Sequence, residues 1–289
     1  MNTFAVLGGD LRFVYLAGTL AEDGFSVITA GFDHTDLPHC VTGCTHMAQA
    51  VRGADFVILP LPVSTDGETL NAPFSRSRMS LDELAESVRS GQTVVGGQLP
   101  PTLLERFADK GVRALDYFSR EELMLQNAVP TAEGALQLAL EELPVTLAGA
   151  SCLVTGFGRV SKALCRLLAA VGANVTVAAR KVADRALALT LGYAAVPMES
   201  LADAGAFDVI FNTIPAMVLD EEVLRRLPTA TLVIDLASRP GGVDFAAAAS
   251  LGLKTIWALS LPGRVAPKSA GIILKDTILN ILNEEGEAV

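Results

Sequence analysis

Residues 154–181 read VTGFGRVSKALCRLLAAVGANVTVAARK. An apolar run leads into Gly156-Phe157-Gly158-Arg159-Val160-Ser161, a helical pattern continues to about Val171, and a second apolar run follows. In such a turn the first glycine allows the tight bend, and the second lets the backbone approach a pyrophosphate held at the helix N-terminus. Ser161 stands where a third glycine is usual, but it is small enough for close helix and strand packing. The bare glycine pair also fits a purely structural turn. The order strand, turn, helix, strand favours a dinucleotide. Arg180 and Lys181 occupy the end of the second strand, where an NAD site carries an acidic residue for the ribose 2′-hydroxyl. A guanidinium there can clamp a 2′-phosphate, so NADP is the expected cofactor. The alternative is a solvated basic pair at a helix start.

Two further exits would face the same crevice, because ligands of open α/β sheets lie beyond the carboxyl ends of the strands. Asn212-Thr213-Ile214-Pro215 follows one apolar run, and its Asn and Thr could hydrogen-bond a nicotinamide ribose or simply cap a turn. Asp235-Leu236-Ala237-Ser238-Arg239-Pro240-Gly241-Gly242 follows another, and Pro-Gly-Gly suits a backbone passing close to a ligand. Asp235, Ala237 and Ser238 are expected along the cofactor. All three histidines fall early, at His34, His39 and His46, the last two framing Cys40 and Cys44 in HCVTGCTH (39–46). One short run with three residues between its cysteines is a poor zinc pattern, and an ordinary loop is expected, with no metal. With no histidine beyond residue 46, a 2-hydroxyacid or amino-acid dehydrogenase, which pairs Arg with His in the cofactor domain, is the less favoured reading. No G-x-S-x-G turn marks a hydrolase.

The elements that must position these residues alternate from end to end, short apolar runs with longer helical patterns, which implies α/β architecture. Strands are expected at 4–10, 26–31, 55–62 and 93–97, with a helix from about Leu11; later strands lie in SCLVTG, NVTVAAR, FDVIFNTIP, TLVIDLAS and LKTIWALS. Two doubly wound, parallel-sheet, Rossmann-like domains with a cleft between them follow: 1–126, joined by a last helix within 266–289, and 127–265. Pro130 is expected to break the crossing helix, with Thr131 capping its continuation and Glu133 near the new start. ADFVILPLP (54–62) and AFDVIFNTIP (206–215) echo one another at the end of a central strand in each half. They fit either related domains or independent strand stops.

The chain has 289 residues with 22 Lys and Arg against 32 Asp and Glu, a net charge of -10. That argues against nucleic acid or an anionic membrane as main partner and requires a local basic pocket for any anionic substrate. No apolar run approaches the roughly 18 residues of a spanning helix, so a cytoplasmic protein is expected. Four cysteines in so long a chain do not make a disulfide framework; Cys152 and Cys165 lie in apolar segments.

The opening AVLGGDLR (5–12) together with NTIPAMVL, DLASRPGGVDF and LPGRVAPKSAG resembles the dipicolinate synthase A-subunit family of spore-forming bacteria. The likeness covers nearly the whole chain and is weakest between about 30 and 125. It is similar, more distantly, to alanine and 2-hydroxyacid dehydrogenases. The resemblance implies an NADP-dependent oxidoreductase of the sporulating mother cell. Its product is pyridine-2,6-dicarboxylate, made from a dihydro or hydroxylated tetrahydro precursor of the lysine pathway. A flavoprotein-like B subunit would be its partner, and self-association is a further option. The first domain would form the other wall of the cleft. A cyclic dicarboxylate needs cationic partners, for which Arg12, Arg239, Arg264 and Lys268 are candidates, with Arg239 and Lys268 foremost. Asp10 and Glu133 are candidate proton acceptors, although Asp10 could instead cap its helix. A nucleotide-binding scaffold active only with its partner stands as the rival reading.

Overall fold

The structure is a computed structural model that describes residues 2–203 and 205–287. The chain divides into two compact units, Met1–Gln126 with Ala266–Val289, and Asn127–Val265. In the first unit the elements run β1 Thr3–Leu7, α1 Leu11–Glu22, β2 Ser26–Ala30, β3 Thr42–Cys44, α2 Met47–Arg52, β4 Phe56–Ile58, α3 Leu81–Ser87, β5 Thr93–Gly96, α4 Pro101–Asp109 and β6 Arg113–Asp116. Helix α5, Glu121–Glu142, contains the division. The second unit follows with β7 Ser151–Thr155, α6 Arg159–Ala170, β8 Asn174–Ala179, α7 Val182–Thr190, β9 Ala194–Pro197, β10 Val209–Asn212, α8 Glu221–Arg225, β11 Leu232–Asp235, α9 Phe245–Ser250, β12 Lys254–Trp257 and α10 Leu261–Val265. Helix α11, Pro267–Glu284, returns to the first unit.

Each unit holds one six-stranded sheet, ordered β3-β2-β1-β4-β5-β6 and β12-β11-β10-β7-β8-β9, and every pairing is parallel. Read from its own first strand, each is the same doubly wound order, with the switch point between β1 and β4 or between β7 and β10. Central strands of such sheets are covered on both faces, which is why their sequences are unbroken apolar runs. Phe4, Ala5, Val6 and Leu7 of β1 are fully buried, as are Cys152, Leu153 and Val154 of β7.

The sequence echo resolves as one device used twice. Asp55 and Asp208 each precede the fourth strand of their sheet, and their carboxylates accept from the N–H of the first residue of the first strand, Thr3 at 2.9 Å and Ser151 at 2.8 Å. Their own N–H groups donate to the carbonyls of the same two residues.

Four expectations need correction. Pro130 does not break α5, which runs on for 22 residues. Pro130 is buried, with Ala128, Ala132, Ala135 and Ala139 as the helix's small buried residues, so packing outweighs the lost N–H. Thr131 caps nothing; its Oγ1 bonds back to the Asn127 carbonyl at 2.7 Å. Glu133 consequently lies mid-helix and exposed rather than at a helix start. The HCVTGCTH segment is not all loop, because Thr42–Cys44 pairs with β2 as the edge strand β3. No helix among the described residues is long and apolar enough to cross a membrane.

Helix α11 crosses α1 where Gly271 removes a side chain. A Cβ there would lie 2.5 Å from the Arg12 carbonyl. The contact lets Leu274, Ile278, Ile281 and Leu282 bury against the cluster of Phe13, Leu16 and Leu20.

Candidate functional site

In the second unit β7 ends at Thr155 and the chain bends at Gly156, whose φ is +84°. A Cβ at that residue would meet the Thr213 hydroxyl at 2.9 Å. Gly158 is the N-cap of α6, contributes no capping side chain, and has nothing within 4 Å of where a Cβ would be. The first-turn N–H groups of α6 are therefore left open by the cap residue, a cradle that fits a pyrophosphate. Arg159 and Val160 open the helix. Exposed cations surround it in sequence, Lys162 and Arg166 on α6 and Arg180 and Lys181 after β8, within a chain of overall negative charge. Arg185, one turn into α7, donates from Nη1 to the carbonyls of Ala179 and Arg180, both at 2.8 Å, and so fixes the β8 exit.

Ser161 is fully buried, and its hydroxyl lies 2.8 Å from that of Thr213, which in turn donates to the Thr155 carbonyl at 2.7 Å. The serine at the third motif position thus ties α6 to the β7 and β10 exits. Asn212 is also fully buried. Its Oδ1 accepts from Thr155 Oγ1 at 2.6 Å and from the Ile214 N–H, while its Nδ2 donates to the Ile214 carbonyl and to Asp235 Oδ1 at 2.8 Å. A side chain so committed has nothing left for a ribose. The structure corrects the expected contact for Asn212; Thr213 is bonded to Ser161 and the Thr155 carbonyl, Ile214 is half-buried and Pro215 is exposed.

Asp235 is fully buried and does not reach solvent either. Besides Asn212 it accepts from the N–H groups of Ala237 at 3.0 Å and Gly242 at 2.9 Å, so one carboxylate pins both ends of the loop after β11. Gly242 is obligatory in that fold, since a Cβ would lie 2.4 Å from Asn212 Nδ2 and 2.5 Å from the Ile214 carbonyl. Ala237 is buried. Ser238, Arg239 and Pro240 form the exposed tip, and the Arg239 guanidinium lies 5.8 Å from the centre of the Trp257 ring.

The first unit repeats the turn and fills it. Gly8 donates to Ala30 as Gly156 does to Ala178, so the two bends are equivalent. Here the N-cap is Asp10, whose carboxylate accepts from the Arg12 N–H, and the Gly9 N–H donates to the Asn71 carbonyl at 2.8 Å. The 64–80 excursion carrying Asn71 is gathered around Asp66. That carboxylate accepts from Thr69, Glu68, Ser64 and Arg78, and the Thr69 bonds above all hold it well below the usual carboxylate range. Arg12 is 7 % exposed, bonds both Asp10 oxygens through Nε at 2.8 and 3.1 Å, and donates from Nη2 to the Leu61 carbonyl. Tyr117 is wholly buried, its hydroxyl on the Leu59 carbonyl and its ionisation pushed up by burial. Asp10 and Arg12, read from sequence as proton acceptor and carboxylate partner, instead neutralise each other and brace the β1 and β4 exits.

Of the remaining candidates, Glu133 and Arg264 lie in the second unit, both exposed, and Lys268, also exposed, stands in the first turn of α11. Cys40 is exposed, Cys44 Sγ donates to the His46 carbonyl, and His46 precedes α2. Sequence reasoning missed Thr155, Asn71, Tyr117, Arg185 and Trp257. None sits in a motif, and only Trp257 carried a signal, as the chain's one tryptophan beside a strand exit.

Comparison with known proteins matches residues 3–118 to the N-terminal domain of the dipicolinate synthase A subunit and residues 143–249 to a putative NAD(P)-binding domain. The dipicolinate synthase A subunit of Bacillus subtilis (strain 168) is 34% identical over 97% of this chain and 95% of its own. The crystal structure of its counterpart from Bacillus halodurans superposes with a TM-score of 0.87 at 30% identity, covering 97% of both chains. A transhydrogenase from Sinorhizobium meliloti shares the fold, with a TM-score of 0.71 at 17% identity over 98% of this chain and 94% of its own. With an NAD(P)-binding domain around the open glycine turn and this identity over nearly its whole length, the chain belongs to the dipicolinate synthase A-subunit family.

Proposed function

We propose that the protein is an NADP-dependent oxidoreductase acting on a CH–CH bond. It would oxidise dihydrodipicolinate, or its hydroxylated tetrahydro precursor, to pyridine-2,6-dicarboxylate in the sporulating mother cell. The observation that carries this reading is the contrast between two equivalent turns. The turn of the first unit is closed by Asp10 and Asn71, and that of the second is open at Gly158 beside exposed Arg180 and Lys181.

When bound, NADP would supply the hydride acceptor: loss of a hydride to it and of a proton to solvent makes dihydrodipicolinate aromatic, and the hydroxylated tetrahydro form must in addition lose one water. The chain's own residues supply position. The α6 N-terminus holds the pyrophosphate, and Arg180 with Lys181 holds the 2′-phosphate. The buried polar core of Thr155, Ser161, Asn212, Thr213 and Asp235 keeps three strand exits in fixed relation. Arg239 offers a guanidinium to one substrate carboxylate. The Bacillus relatives are A subunits of a synthase with more than one kind of chain, which supports a partner here, a flavoprotein-like B subunit.

Absorbance at the NADPH maximum, with NADP and freshly generated dihydrodipicolinate, should rise with this chain alone. A rise only when the partner is added would move the chemistry to the complex and make this chain a scaffold. Arg180→Asp should weaken NADP binding about tenfold or more while leaving NAD nearly unchanged. Equal losses for both nucleotides would sink the 2′-phosphate assignment.

A further inference from the structure

We infer that Trp257 is the positioning residue for Arg239, and that the two form a recognition element for one carboxylate of a planar dicarboxylate. The inference rests on the dicarboxylate reading above. Trp257 ends β12 beside Asp235, its partner in register. Its Nε1 donates to the Ala237 carbonyl at 3.0 Å, inside the loop whose ends Asp235 pins. The ring also stacks with Phe245, centroids 5.4 Å apart and planes 25° apart, which fixes its orientation. Gly241, at φ +83°, passes so near that a Cβ would come within 3.2 Å of the indole. Loop and ring therefore move as one body.

What this does to Arg239 follows from the geometry of a guanidinium. A cation over an aromatic ring is attracted without a hydrogen bond to it, which leaves the N–H fork available. Arg12 is the counterexample in the same chain, with its fork spent on Asp10 and the Leu61 carbonyl. Among the described residues no carboxylate pairs with Arg239. An exposed arginine held on a ring and left without a carboxylate is preorganised for a bidentate one.

Trp257 is the single tryptophan, so its emission reports the element directly. Titrating the full chain, saturated with NADP, with pyridine-2,6-dicarboxylate should give a saturable change in emission whose midpoint Arg239→Gln moves about tenfold higher. By calorimetry, Arg239→Gln and Trp257→Leu should each raise the dicarboxylate Kd about tenfold. Trp257→Phe, which keeps an aromatic face and loses the bond to Ala237, should raise it about threefold. In all three the NADP Kd stays within about twofold of wild type, which also certifies folding, and Arg239→Lys recovers part of the loss. Wild-type dicarboxylate affinity in both Trp257 variants, with loss in Arg239→Gln, would overturn the positioning role and leave the substrate reading standing. Wild-type affinity in Arg239→Gln would overturn the recognition element itself. Absence of dicarboxylate binding to the wild-type chain would overturn both.

Discussion

At the scale of single residues, burial separates groups of one chemical type into different roles. Arg12 and Arg239 each follow a strand exit, yet one is enclosed by a carboxylate and a carbonyl while the other is exposed over an indole. The four thiols divide in the same way. Cys152 and Cys165 are fully buried, and burial pushes both up to about 12, whereas Cys40 is exposed and Cys44 half-buried. Since the thiolate is the nucleophile, a maleimide at neutral pH should label Cys40 and, more slowly, Cys44 in the native chain, with the other two reacting only after denaturation. Mass mapping that finds native labelling at Cys152 or Cys165 would contradict the packing described for β7 and α6.

Among the elements, α11 joins the first unit from the far end of the chain, and its last turn is tied down by charge. Arg120 binds Glu284 through two bonds of 2.6 and 2.8 Å, which lowers the carboxyl below its usual range. A carboxyl depressed in the folded state adds stability above its unfolded value and loses it as pH falls through the folded one. Glu284→Gln should therefore lower the thermal midpoint slightly at neutral pH, and the difference from wild type should vanish in acid below the carboxylate range. A difference that persists in acid would mean the pair acts through packing rather than charge. The pair is exposed, so the effect should shrink with added salt.

Over the whole molecule, two copies of one topology have been put to unequal use. The first copy closes its own helix N-terminus with Asp10 and the Asn71 carbonyl, and the second leaves Gly158 bare. Calorimetry should accordingly find one nicotinamide nucleotide per chain, not two. Gly158→Asp, which gives α6 the cap that α1 already has, should abolish that binding and change the melting temperature by only a few degrees, because aspartate is a good N-cap in open space. Two nucleotides per chain in the wild type, or one retained in Gly158→Asp, would refute the unequal use.

What the sequence by itself determined was everything carried by local chemistry. The apolar runs of a sheet covered on both faces, the glycine bend at Gly156 and the basic pair after β8 are legible because each follows from neighbouring residues. The edge strands β3, β6 and β9 escaped notice, being short and only partly buried, so no apolar run announces them. Only the tertiary structure decided which polar residues remain available. Asn212, Asp235 and Arg12 read as ligand contacts in one dimension, but burial obliges each to find partners within the protein, and each has one that lies 23 to 57 positions away. Pro130 teaches the same lesson in reverse, since a helix breaker by propensity persists where the packing of its small neighbours carries the helix through it.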